Sequence, residues 1–130
     1  MIDHSKQGKE NREWGREAEQ IAADWLLTHG YVVRERNWRC SNHIEVDIIA
    51  ELPGRIIFVE VKARKGDVVK PIEAIDDKKI KKMVKGADIY LQNEKYLFQY
   101  RFDIITITGT PEDYTVSHIE DAFMPPLKRR

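Results

Sequence analysis

The order of segments in this chain of 130 residues predicts an α/β domain, with a mixed central sheet flanked by helices in the order α-β-β-β-α-β-β. Two observations lead there. Five stretches rich in Ile, Val, Thr and aromatic residues have the composition of strands, and two longer stretches repeat apolar residues at helical spacing. Each of those helices has one apolar face to bury, and a sheet between them gives both a place to bury it.

Taken in order, apolar residues at Trp14, Ala18, Ile21, Ala22, Trp25 and Leu26 mark a first helix, which Gly30 stops. "YVVRERNW", Tyr31 to Trp38, reads as a strand, and Ser41-Asn42 as the turn after it. "IEVDIIAELPGRIIFVEVKAR", Ile44 to Arg64, supplies two strands around Pro53-Gly54. Asp76 or Asp77 is placed to cap a second helix, with apolar positions Ile80, Met83, Val84, Ala87, Tyr90 and Leu91 and a lysine-rich opposite face. Strands at Tyr100 to Gly109 and Tyr114 to Ile119, joined by "TPED", complete the set. The folded part is expected over residues 10–123 as one domain, with residues 1–9 and 124–130 as flexible tails.

Composition narrows the class. With 42% hydrophobic and 34% charged residues, the chain has no apolar run near the ~20 residues of a membrane span, so no membrane partner is expected. The polar N-terminus has no signal-peptide core, which makes a cytoplasmic location the expectation. The lone Cys40 excludes an internal disulfide and reads as inert. The net charge is zero, yet Lys62 to Lys85 holds nine basic and four acidic residues. That segment, chiefly Lys78, Lys81, Lys82 and Lys85 on the open face of the second helix, is the candidate surface for a polyanion; a solubilising helix face is the plainer alternative.

The acids of the hairpin are the sharper signal. Alternation puts Glu45 with Asp47 on one face, and Phe58, Glu60, Lys62 and Arg64 together on the next strand. A turn at Pro53-Gly54 with a two- or four-residue loop sets Asp47 opposite Glu60 and Glu45 opposite Lys62. Opposed carboxylates cost roughly 0.2–1 kcal/mol where exposed and more where desolvated. Two explanations remain open. Lys62 and Arg64 neutralise the acids in an ion-pair lattice, or the acids hold a hard cation, Mg²⁺ or Mn²⁺, which prefers oxygen ligands and keeps room for water and phosphate.

Asp47, a spacer, then Glu60-Val61-Lys62 resembles the PD-(D/E)xK signature of restriction-endonuclease-like nucleases. With "GREAEQIAADWLLTHGYVVRERNWR", "IEVDIIA", "FVEVKAR", "AIDDKKIKKMVKGADIYL" and "RFDIITI", the chain resembles the YraN-like bacterial family, related in fold to archaeal Holliday-junction resolvases. The resemblance spans roughly Gly15 to Ile107. It implies a restriction-endonuclease-like fold and a metal-dependent endonuclease acting on nucleic acid, with DNA, branched DNA included, as the expected substrate. Asp47 and Glu60 match the metal-binding acids, Lys62 the catalytic lysine, Glu45 the acid of the family's Gly-Glu-Ile-Asp stretch, Glu19 the first-helix Glu, and Lys79 a lysine opening the second helix. Glycines of the family pattern are replaced: Ala18 precedes Glu19, and "NHIEVD" stands where Gly-Gly-Glu-Ile-Asp is usual. A resolvase-type activity would favour a homodimer. The rivals are a nucleic-acid-binding module of the same fold without turnover, and an interaction protein whose acids and lysines are structural.

Among other residues, His4, His29, His43 and His118 show no metal spacing and read as surface or turn residues, His43 lying on the face of Glu45. Trp14, Trp25 and Trp38 fit core spacing. Asp103, amid apolar strand residues, needs a partner such as Arg101 or a backbone N–H and is read as structural.

Overall fold

In the computed structural model, described over residues 4–64, 75–95 and 99–123, the elements are α1 (His4–Thr28), β1 (Val32–Ser41), β2 (Ile44–Leu52), β3 (Arg55–Arg64), α2 (Asp77–Gln92), β4 (Gln99–Thr110) and β5 (Asp113–Ile119). The order is the expected one. The strands form one sheet, β1-β2-β3-β4-β5, in which only β3 and β4 run parallel. A parallel pair needs a crossover, and the chain leaves β3 and returns to β4 by way of α2.

α1 starts ten residues before its apolar stripe opens at Trp14 and so takes in residues 4–9, which composition alone put in a tail. "HSKQGKENRE" has no face to bury, but Lys, Gln, Glu and Arg are good helix formers, and adding turns to an existing helix is far cheaper than starting one. At the other end Gly30, at φ +88°, closes a Schellman motif. The Tyr31 N–H donates to the Leu26 carbonyl at 2.9 Å and the Gly30 N–H to Leu27 at 3.2 Å, while Leu26 and Tyr31 meet in the core. Residues 124–130, the other expected tail, and Lys65, Asp67, Lys70 and Glu73 of the basic segment lie outside the described residues.

The sheet is the middle of three layers. Trp14, Ala18, Ala22 and Leu26 of α1 bury one side with Ile48, Ala50, Ile57, Val59, Ile105 and Ile107. Met83, Ala87 and Tyr90 of α2 bury the other with Val46, Ile49, Ile56, Phe58, Phe102 and Ile104. Because β3 is covered on both faces, "IIFVEV" reads as an unbroken apolar run, interrupted only by Glu60.

α2 comes close to the sheet at Gly86. A Cβ there would lie 2.9 Å from Ile44 Cγ2 and 3.5 Å from Val46 Cγ2. Gly86→Val is therefore expected to lower stability by about 1–3 kcal/mol. Gly15→Ala, in a helix with nothing within 4 Å of the added carbon, should raise it by roughly 0.5–1 kcal/mol. Urea denaturation of the two variants measures both, and equal effects would mean that α2 is not seated on β2 at this glycine.

Asp103 is fully buried and has the partners that its position demands. It accepts from Arg101 Nε and Nη2, each at 2.8 Å, from the Asp121 N–H at 3.0 Å and from His118 Nε2 at 2.8 Å. Burial alone would raise its pKa, but the His118, Arg101 and Asp121 bonds outweigh it and hold the carboxyl below its usual value. His118 is accordingly no surface residue: its ring is 8% exposed, and Trp25 Nε1–H donates to Nδ1 at 3.2 Å, so the proton sits on Nε2, facing Asp103. Strand alternation turns His118 inward with Val116, which composition did not reveal.

Candidate metal and phosphate site

The β2–β3 hairpin closes with a two-residue loop, one of the two lengths expected, with Gly54 at φ +72° after Pro53, as a type II turn requires. Paired positions sum to 107 from Leu52↔Arg55 to Ile48↔Val59. There the ladder ends, one pair short of the acids. Asp47 Oδ2 instead accepts the Val61 N–H at 2.9 Å, so a carboxylate takes up a backbone donor of β3 and is fixed in direction by it.

The cause is a slip in the pleat. Val46 packs on the α2 side and Ile48 on the α1 side, although residues two apart on a strand share a face. On the neighbouring strand the ladder passes from Arg36↔Ile48 to Trp38↔Val46 without pairing Asn37 to Asp47, and Asn37 has φ +51°. The expected Glu45–Lys62 pair is likewise not part of the β2–β3 ladder, which ends at Ile48↔Val59; on its other edge Glu45 pairs with Arg39 of β1, whose Nη2 lies 3.0 Å from Oε2.

Glu60 continues the Phe58 face of β3 toward α2, and its side chain is 4% exposed. Two ammonium groups bracket it, Lys62 Nζ at 3.5 Å from Oε1 and Lys79 Nζ at 3.4 Å from Oε2. Both contacts are ion pairs rather than close hydrogen bonds, and buried Oε2 lacks a hydrogen bond of good geometry. Burial, and next the charge of Asp47, push the Glu60 pKa up to about 7 against the pull of Lys79 and Lys62. Burial likewise raises Asp47, with Glu45 adding to it, while the Val61 N–H, Lys79 and Lys62 oppose it. Asp47 and Glu60 are thus two desolvated carboxylates that repel one another.

Glu19 reaches the group from α1. Its pKa is raised by burial and by Asp47, and lowered by a hydrogen bond with the Asn37 side chain and by Arg36. Lys79, expected as the lysine that opens the second helix and, with Arg64, among the nucleic-acid-binding residues, turns inward to Glu60. The Asp76 cap explains this, since its Oδ1 accepts the Lys79 N–H at 2.8 Å and fixes where α2 begins. Lys78, Lys81 and Lys85 are exposed and Lys82 is half-buried. Arg64 is half-buried and donates to the Ala63 carbonyl at 3.2 Å, and His43 is exposed in the β1–β2 turn.

The donor set fits a hard divalent ion. Among the described residues no three His, Cys, Asp or Glu side chains are gathered into a cage. Asp47 and Glu60 form a pair, with each oxygen of Glu60 held only by a lysine at 3.4–3.5 Å, and Mg²⁺ or Mn²⁺ is commonly held by one or two carboxylates plus water and substrate phosphate. The two features that reading residues one at a time missed are the inward turn of Lys79 and the slip at Asp47. Asn37, an Asn inside a strand and tolerant of positive φ, was the available signal for the second.

Comparison with known proteins shows the family of the chain. A profile of the Uncharacterised protein family UPF0102 matches residues 18–107, from α1 through most of β4. The chain belongs to the UPF0102 family. It is 42% identical over 119 residues to a UPF0102 protein of Phocaeicola vulgatus, covering 91% of this chain and 98% of that one. A UPF0102 protein of Bacteroides thetaiotaomicron is 41% identical at the same coverage. One from Caldanaerobacter subterraneus subsp. tengcongensis is 40% identical over 114 residues, 84% of this chain and 93% of the relative. The matched span of this UPF0102 chain contains Glu19, Glu45, Asp47, Glu60, Lys62 and Lys79. Among the described residues no helix is long and apolar enough to cross a membrane.

Proposed function

We propose that this chain is a metal-dependent endonuclease of the restriction-endonuclease-like kind, hydrolysing phosphodiester bonds in nucleic acid, with DNA as the first substrate to try. The observation that carries the reading is Glu60: a buried carboxylate beside Asp47, held only by two lysines at 3.4–3.5 Å, with a pKa that burial and Asp47 push up. A surface ion-pair lattice would leave its carboxylates solvated and their pKa values low. Here burial does the reverse, and such a group is a functional candidate.

Asp47 and Glu60 would hold Mg²⁺ or Mn²⁺. When bound, the ion would supply Lewis-acid polarisation of the phosphate and a water of lowered pKa. Asp47 keeps its direction through the Val61 N–H. Lys62 and Lys79, relieved of Glu60, can turn their ammonium groups to the non-bridging phosphate oxygens, where negative charge grows as water attacks phosphorus and the P–O bond to the leaving strand breaks. Glu19 and Glu45 stand on the α1 side of Asp47, placed to orient water.

The test is a cleavage panel. Labelled duplex, single-stranded and branched DNA, with matching RNA, are incubated with Mg²⁺, Mn²⁺ or EDTA. At least one substrate should be cut with metal and none with EDTA. Binding without cleavage across the whole panel would overturn the hydrolase reading in favour of a binding module.

A further inference from the structure

We infer that the cleft between the end of β3 and the first turns of α2 is a subsite for a terminal phosphate, the phosphomonoester at the end of a nucleic-acid strand. This rests on the nucleic-acid reading above and narrows its substrate. The cleft has a volume of about 310 Å³ and is lined by Lys62, Ile75, Asp76, Lys78, Lys79 and Lys82. Among the described residues its lining carries four ammonium groups and one carboxylate, with Glu60 behind Lys62 and Lys79, so it is net positive.

The lysines divide by partner. Lys62 and Lys79 pair with Glu60, whereas Lys78 and Lys82 have no ion-pair partner among the described residues. Lys78 and Lys82 stand one helical turn apart on the same face, so both heads reach one ligand. The positive end of the α2 dipole adds to their field. Buried Ile75 gives the cleft an apolar wall.

Size and charge choose the ligand. The volume is at the lower end of small-molecule cavities, enough for one nucleotide unit and too small for a double helix. An internal phosphodiester brings one negative charge, while a phosphomonoester carries about −1.5 to −2 at neutral pH. The second suits so cationic a lining better. Lys81 and Lys85, exposed on the same helix but outside the cleft, are a built-in control.

The experiment uses the full chain in EDTA. Single-stranded oligonucleotides of one sequence, bearing a 5′-phosphate, a 3′-phosphate or hydroxyls at both ends, are titrated by fluorescence anisotropy. One phosphorylated form should bind about tenfold tighter than the hydroxyl form, the scale of one charge-assisted contact, and the two phosphorylated arms show which end is read. Lys78→Gln with Lys82→Gln should erase that advantage, while Lys81→Gln with Lys85→Gln should weaken all three forms alike. Circular dichroism shows that both double variants keep the fold. Equal affinity for all three ends, or an advantage that survives Lys78→Gln with Lys82→Gln, would overturn the subsite. Because no metal or turnover is involved, that failure leaves the hydrolase reading standing, and end discrimination without metal-dependent cleavage would remove the hydrolase reading alone.

Discussion

Glu60→Gln should make the metal-free protein more stable at pH 8, by an amount that shrinks toward pH 5. The sign follows from the folded-state pKa of about 7, against an ordinary value of 4.5. Between those values the folded chain holds a proton that the unfolded chain has released, so stability falls as pH rises through that window and stays low above it. At 1.36 kcal/mol per pKa unit the full effect is on the order of 3 kcal/mol, an upper figure for two coupled acids. Gln mimics the protonated state and escapes the loss. Lys62 and Lys79, 29% and 30% exposed, can turn to water once their partner is gone. Urea denaturation in EDTA at pH 5 and pH 8 measures this. A variant less stable than the parent at pH 8 would show that the ion pairs are net stabilising and that the acids belong to a structural lattice.

Lys62→Ala should cost about 10²–10³ in cleavage rate, the usual loss of one donor to developing phosphate charge, while leaving Mn²⁺ binding intact or stronger. The asymmetry arises because Lys62 lies 3.5 Å from Glu60, where its charge opposes an incoming cation in the free protein and would serve phosphate in the complex. Asp47→Asn should remove both binding and cleavage. Single-turnover rates beside metal titrations separate the two effects. A Lys62→Ala protein that loses metal affinity as fully as Asp47→Asn would assign the lysine a structural role.

The strands, both helices and the hairpin register could be read from the sequence because their signals are local: β-rich runs, helical spacing, and a Pro-Gly turn that sets a two-residue loop. The acids at Asp47 and Glu60 could be read for the same reason, as charges inside otherwise apolar strands. What the sequence did not show depends on contacts between elements. Lys79 is expected as the lysine opening the second helix, but its contact with Glu60 follows only from the Asp76 cap and the close approach of α2 at Gly86. His118 looked like a surface histidine until β5 carried it between Trp25 and Asp103, partners 93 and 15 residues away. The change of face at Asp47 involves two strands at once: strict alternation keeps Val46 and Ile48 on one face and carries the β2–β3 ladder past Ile48, whereas the two pack on opposite faces and the ladder stops there.

Whether the hairpin carboxylates bind a hard cation is tested most directly by calorimetric titration of Mn²⁺ into the metal-free chain at pH 7, run in two buffers of different ionisation enthalpy. Saturable binding of a single ion should appear, with heats that differ between the buffers because Glu60, half-protonated near pH 7, gives up its proton to the metal. Asp47→Asn should abolish the binding. No saturable heat in the parent chain, or equal binding in parent and Asp47→Asn, would contradict the metal site and leave Asp47, Glu60, Lys62 and Lys79 as an ion-pair cluster.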